Sequence, residues 1–189
     1  MSRETLLLLC LNFAFIGALP RIFFRRGGLG WKWWTTALPL FASPVVAILM
    51  YAGILRSAVP QNIWSNLQLV AVVLDALSIA LIALTIGTNR VPLALWHQKD
   101  DAPQNIVTFG AYRHVRHPFY VSFLIALTAA VLVAPHVLTI AILLYALFIL
   151  NRTAAGEEKR LAASEFGDEY GRYMSRTGRF FPRWTRRDA

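Results

Sequence analysis

Charge is scarce in this chain. Only 15% of its 189 residues are Asp, Glu, Lys or Arg, against about 25% in a soluble domain. Acids are scarcer still, with 10 Asp and Glu facing 19 Lys and Arg. The hydrophobic share is 57% before glycine is counted. An ordinary soluble globule could not cover that much apolar surface, and a disordered chain would not carry it. There is a single cysteine, Cys10. An internal disulfide and a cysteine-built metal site are therefore excluded, and Cys10 reads as a small buried hydrophobe. The chain has no internal repeat, no low-complexity stretch and no Gly-x-Ser-x-Gly elbow to anchor serine-hydrolase chemistry. Gly27-Gly28-Leu29-Gly30 is a turn rather than a phosphate cradle, because no Gly-Lys-Ser/Thr follows it.

What the chain does have is long uncharged runs. Sixteen residues separate Glu4 from Arg21, 23 separate Lys32 from Arg56, and Asp75 is the one charge between Arg56 and Arg90. Another 34 lie between His117 and Arg152, broken by Pro135-His136. About 20 apolar residues cross a bilayer core as a helix. The runs predict an all-α, polytopic integral membrane protein with about five transmembrane helices, near 5–24, 35–55, 67–87, 119–134 and 136–151. The last two are short, so local thinning or extension past the boundary is expected. Pro39 and Pro44 should kink the second span. The first span is expected to be retained rather than cleaved, because Arg3 is offset by Glu4 and no small-residue cleavage site follows.

The basic residues sort by loop. Arg21, Arg25, Arg26 and Lys32 lie in the first, Arg90, Lys99, Arg113 and Arg116 in the third, and nine more, Arg152 to Arg187, in the tail. Only Arg3 and Arg56 fall on the other side. The positive-inside rule then places the N-terminus outside and the C-terminus in the cytoplasm, as an odd number of spans requires. A bacterial inner membrane and the endoplasmic reticulum both fit. Topology accounts for the excess of positive charge, so no nucleic-acid partner is expected, and the tail with its aromatics is suited to membrane lipid. Trp31, Trp33 and Trp34 read as an interfacial aromatic anchor.

The polar chemistry is concentrated in the 31-residue loop 88–118 and in the tail. The loop holds His97, His114 and His117 and ends in Gly110-Ala111-Tyr112-Arg113-His114-Val115-Arg116-His117-Pro118-Phe119-Tyr120. The tail brings Glu157-Glu158, then Phe166-Gly167-Asp168-Glu169-Tyr170 with a helical apolar stripe through Tyr173. His114 and His117 could share a metal on a helix, but Pro118 pushes residue 117 out of helical geometry, and no metal is expected. Arg116 can bind a carboxylate, the glutamates an ammonium or ribose hydroxyls, and Tyr112 and Tyr120 a ring or a cation. S-adenosylmethionine carries all of these groups. The glutamates could equally open a solvated helix, where acids complement the dipole. Asp75, mid-span, is expected to face the bundle, either holding Asn12 or lining an acceptor tunnel. His136 reads as a hydrogen-bonding residue of a short outer turn.

The set Gly110-Ala111-Tyr112, Arg116-His117-Pro118-Phe119-Tyr120, a helical hairpin, Glu157-Glu158 and Phe166-Gly167-Asp168-Glu169-Tyr170 resembles the isoprenylcysteine carboxyl methyltransferase family over about residues 75–184. Ala111 stands where that family has proline, and Ser122 where it has glycine. The resemblance implies a methyltransferase core at 67–189, behind two N-terminal helices at 1–66, with a cytoplasmic C-terminal cofactor-binding region. It implies S-adenosylmethionine as cofactor, held by Gly110, Tyr112, His114, His117, Pro118, Tyr120, Glu157 and Glu158. Arg116 and Arg152 would orient a lipophilic or small acceptor bearing a carboxylate, thiol or amine. The rival readings are an NADPH-dependent membrane reductase of related architecture and a non-enzymatic lipid-binding protein.

Overall fold

The computed structural model describes residues 2–23, 31–88 and 106–183. It is helical: α1 (Arg3–Phe23), α2 (Trp31–Tyr51), α3 (Gln61–Thr88), α4 (Pro118–Val133), α5 (Val137–Ala162) and α6 (Gly167–Arg176), with a 3-10 turn at Gly110–Arg113. Among the described residues the one β-type pairing is an isolated parallel bridge between Val115 and Gly178. Among the described residues three helices are long and apolar enough to cross a membrane: α2 over Trp34–Tyr51, α3 and α5. α1 and α4 fall on the first and fourth expected spans, and α4 is the short one, at 16 residues.

α4 is the centre of the bundle and packs against α1, α2, α3 and α5. Its sequence explains this. Pro118 occupies the first helical position, where a missing N–H costs nothing, and His117 before it is non-helical (φ −125°, ψ 64°). The fully buried Ala126, Ala129 and Ala130 let neighbouring backbones approach closely. Phe123 meets Phe13 of α1 edge to face, and Ser78 of α3 donates to the Ser122 carbonyl. The Ser122 hydroxyl turns back to the Phe119 carbonyl, so the extra bulk relative to glycine is absorbed within α4. At the far end Trp64 Nε1 donates to the Val133 carbonyl.

α5 runs further than the apolar pattern indicates. The expected span stopped at residue 151, but the helix has 26 residues and continues through a polar stretch to Ala162. Charge marks the end of the apolar run, not of the helix. His136 caps its start, accepting from the Leu138 amide, as its position in the outer turn implied. The glutamates do not open a new helix. They lie near the C-terminus of α5, where the macrodipole disfavours acids and nearby cations are needed to offset it.

Asp75 is fully buried and accepts from Asn12 Nδ2 at 2.7 Å, tying α3 to α1. Pro39 and Pro44 both lie inside the continuous α2. The Gly27-Gly28-Leu29-Gly30 turn, His97 and the first part of the 88–118 loop lie outside the described residues, as do the side chains of Trp31 and Trp33.

Candidate functional site

The site forms where the start of α4 meets the last turns of α5. The chain enters it through Gly110, which has a positive φ of 60°, the left-handed conformation that glycine adopts without cost. A Cβ there would also fall 2.2 Å from Thr88 Oγ1. The following 3-10 turn buries Ala111 and Tyr112 and leaves Arg113 and His114 exposed. The Tyr112 carbonyl accepts from the Tyr173 hydroxyl of α6 at 2.7 Å, which fixes the turn against the tail helix.

Arg116, His117 and Tyr120 then converge on the glutamate pair. Tyr120 is 1% exposed and its hydroxyl donates to Glu157 Oε1 at 2.8 Å. The Tyr120 and His117 rings stack, with centroids 5.3 Å apart and planes within 5°. His117 stands between the two acids, Nδ1 3.5 Å from Glu157 Oε2 and Nε2 3.3 Å from Glu158 Oε1. Arg116 Nε donates to Glu158 Oε1 at 2.8 Å. Its Nη1 donates to the carbonyls of Thr177 and Met174. Thus both glutamates face the site, although side chains of neighbouring helical residues diverge by about 100°.

The electrostatics separate the two acids. Burial pushes Glu157 up to about 8, against the smaller opposing pull of the Tyr120 hydrogen bond. Burial also acts to raise Glu158, but hydrogen bonds from His117, Arg179 and Arg116 outweigh it and hold that carboxyl well below the usual range. Burial lowers His117 below its ordinary 6.5, so the ring is neutral at pH 7. With Nε2–H directed at the ionised Glu158, the basic nitrogen is Nδ1, on the Glu157 side.

The structure thus brings together Tyr120, His117, Arg116, Glu157 and Glu158, with Pro118 setting the helix start and Tyr112 buried beside them. Gly110 and His114 lie on the approach, both exposed. Arg152 does not join the cluster: it is exposed, with its guanidinium 5.8 Å from the Phe148 ring centroid. Two residues that the sequence reading counted only as tail are part of the cluster. Arg179 contacts Glu158 at 2.6 Å, and Phe180 lies edge-on to His117 and Tyr120. The only local signal for them is the break of α6 at Thr177-Gly178, followed by Arg179 and an aromatic pair. No group of three or more His, Cys, Asp or Glu suited to a metal occurs among the described residues.

Part of the chain resembles known proteins. Methanethiol S-methyltransferase 1 of Bradyrhizobium diazoefficiens is 35% identical over 89 residues, 47% of this chain and 30% of that relative's length. The sequence model of the isoprenylcysteine carboxyl methyltransferase family matches residues 95–163, which include the 3-10 turn, α4 and all of α5. That matched segment holds Arg116, His117, Tyr120 and both glutamates.

Proposed function

We propose that this chain is a multi-pass membrane methyltransferase that uses S-adenosylmethionine and methylates a small or lipophilic acceptor, with a thiol as the best-fitting class. The observation that carries this reading is the convergence of His117 and Tyr120 on Glu157, inside the segment that matches the family. The donor set suits the cofactor. Glu157 keeps acceptor capacity for an ammonium or a ribose hydroxyl beside the Tyr120 hydroxyl. The His117, Tyr120 and Phe180 rings offer faces and edges to a sulfonium or a base. When bound, S-adenosylmethionine supplies an electrophilic methyl group on a sulfonium.

The chain's own residues would bind, orient and exclude water. Tyr120, Glu158 and Phe180 are at most 9% exposed, so a reacting pair held among them is largely dry. The acceptor class follows from the charges. Arg116 and Arg179 are both engaged with Glu158, which leaves neither guanidinium fork open for an acceptor carboxylate. A thiol must lose a proton to react, and His117 Nδ1 is a neutral base on the Glu157 side. The relative's name, a methanethiol S-methyltransferase, points the same way. The membrane arrangement proposed is five spans, with α1 and α4 crossing besides the three longer helices, the N-terminus outside and the glutamates on the cytoplasmic side. In it the crossing part of α5 ends near Leu150, and its last turns stand clear of the bilayer core.

The test is equilibrium binding of labelled S-adenosylmethionine and of NADPH to the purified chain in detergent, followed by methyl transfer to methanethiol and to host lipid extract. Saturable S-adenosylmethionine binding and a labelled methyl thioether are the expected results. NADPH binding without S-adenosylmethionine binding refutes the reading.

A further inference from the structure

Glu157 and Glu158 are adjacent, but their surroundings differ in kind. Glu158 is 6% exposed, and both of its oxygens are fully engaged. Oε1 receives Arg116 Nε at 2.8 Å, Arg179 Nε at 3.1 Å and His117 Nε2 at 3.3 Å, while Oε2 receives Arg179 Nη2 at 2.6 Å and Nε at 3.2 Å. A carboxylate offers about four lone-pair directions, so nothing remains for a ligand. Glu157 has the Tyr120 hydroxyl on one oxygen and a more distant His117 nitrogen near the other.

Arg179 reaches Glu158 because the chain after α6 is laid along the residues before α4. The Arg116 amide donates to the Gly178 carbonyl at 2.9 Å and the His117 amide to the Arg179 carbonyl at 3.2 Å. Glycine is required at 178, since a Cβ there would stand 1.7 Å from the Phe181 carbonyl oxygen. Asn151 Oδ1 accepts from Arg179 Nη1 at 2.6 Å, which fixes the guanidinium plane from a third side. We infer that Arg179 is a positioning residue: it locks Glu158 to Arg116 and His117, and so leaves Glu157 as the carboxylate that meets the ligand. The inference deepens the reading above and rests on it only for the identity of the ligand.

A double-mutant cycle on the full chain in detergent tests it, with Arg179→Gln, Glu158→Gln and the pair. One readout is the Kd for S-adenosylmethionine. The other is the His117 ring titration followed by NMR on the ligand-free protein. Arg179→Gln is expected to weaken binding by about tenfold or more, and by less than about threefold once Glu158 is already Gln, because coupled residues are not additive. Arg179→Lys, which keeps the charge but not the fork, recovers part of the loss. In Arg179→Lys, where the cation stays, His117 should titrate lower than in the wild type, because the Glu158 hydrogen bond that raises it is loosened. Equal factors in both backgrounds, or an unmoved His117, would overturn the assignment. If the wild-type chain binds no S-adenosylmethionine, the functional reading fails. The His117 titration still decides the role of Arg179, which stands if Arg179→Lys lowers it and falls if it does not.

Discussion

Replacing Glu157 with Gln should make the protein's stability less sensitive to pH within one narrow window. The ordinary value for this carboxyl is 4.5, and burial pushes it to about 8. Between those values the folded protein keeps a proton that the unfolded chain has shed. Stability therefore falls as pH rises, and the loss is complete only above about 8. Its neighbours titrate elsewhere. His117 lies below its ordinary 6.5, so it adds stability with rising pH up to 6.5 and nothing beyond. Glu158 contributes stability above 4.5 that is lost only as pH falls. From pH 6.5 to 8, Glu157 is the one of the three that changes. Each pH unit with one proton of difference is worth about 1.4 kcal/mol, so wild type should lose about 2 kcal/mol across the window relative to Glu157→Gln. For a chain of this length that is a relative fall of roughly 4–8 °C in Tm.

The assay is thermal unfolding of both proteins in one detergent at half-unit steps of pH, reading the difference between the curves. Subtraction removes every group the two proteins share. Convergence above neutral pH in favour of the variant is the expected outcome. Parallel curves from pH 6.5 to 8 would show that Glu157 is ionised in the folded protein throughout, and the separation of the two acids by burial and cation pairing would be wrong. The same proton bears on ligand binding. A cationic ligand prefers the ionised carboxylate, so S-adenosylmethionine should bind more tightly as pH rises from 7 towards 8, and Glu157→Gln should remove that trend.

Arg116→Lys should reduce methyl transfer by about tenfold or more, because one ammonium cannot serve both Glu158 and the Thr177 carbonyl; full activity would refute the bridging role. Asn12→Leu should destabilise the bundle by about 1–3 kcal/mol, since it removes the donor to the buried Asp75, and the double replacement of Asn12 and Asp75 by Leu should recover most of the loss in a denaturation series. A reporter fused after Ala189 should be active only in the cytoplasm, and an external signal would reverse the proposed topology.

How much of this was legible depends on which physical signal each residue sends. Pro118 announced the start of α4 and the non-helical His117, because its ring restricts both positions locally. For Asp75 the sequence leaves two partners open, Asn12 or an acceptor tunnel, because a lone acid in an apolar run has to find a polar neighbour, and the contact found is Asn12. The end of α5 was not legible. The apolar run stops near Leu150, but a helix continues wherever packing favours it, and Glu157 and Glu158 ride on that continuation. Arg179 was hidden by number. As one of nine basic residues in the tail it looked like part of the topology charge, and only the pairing of Gly178 and Arg179 with Arg116 and His117 distinguishes it.

The mismatch in length between α4 and α5 explains how the glutamates come to stand past the start of α4. The two helices are joined by residues 134–136 and pack against each other. α4 has 16 residues and α5 has 26, lengths of about 24 Å and 39 Å. Starting from a common turn, α5 passes the beginning of α4 by about 15 Å. Glu157 and Glu158 sit on that overhang, beyond the apolar part of the helix. Within a hydrocarbon core a bare carboxylate is expensive, and in open water its contacts are weak. Here the surroundings of the glutamates are protein: Arg116 and His117, the buried Tyr173 and Tyr170 of α6 with the Tyr112 turn, and Arg179 and Phe180. Each group comes from a different stretch of the chain, so the seclusion of the glutamates is a property of the assembled fold. That is why an apolar pattern alone, which records where helices meet lipid, says nothing of where this protein excludes water around charge.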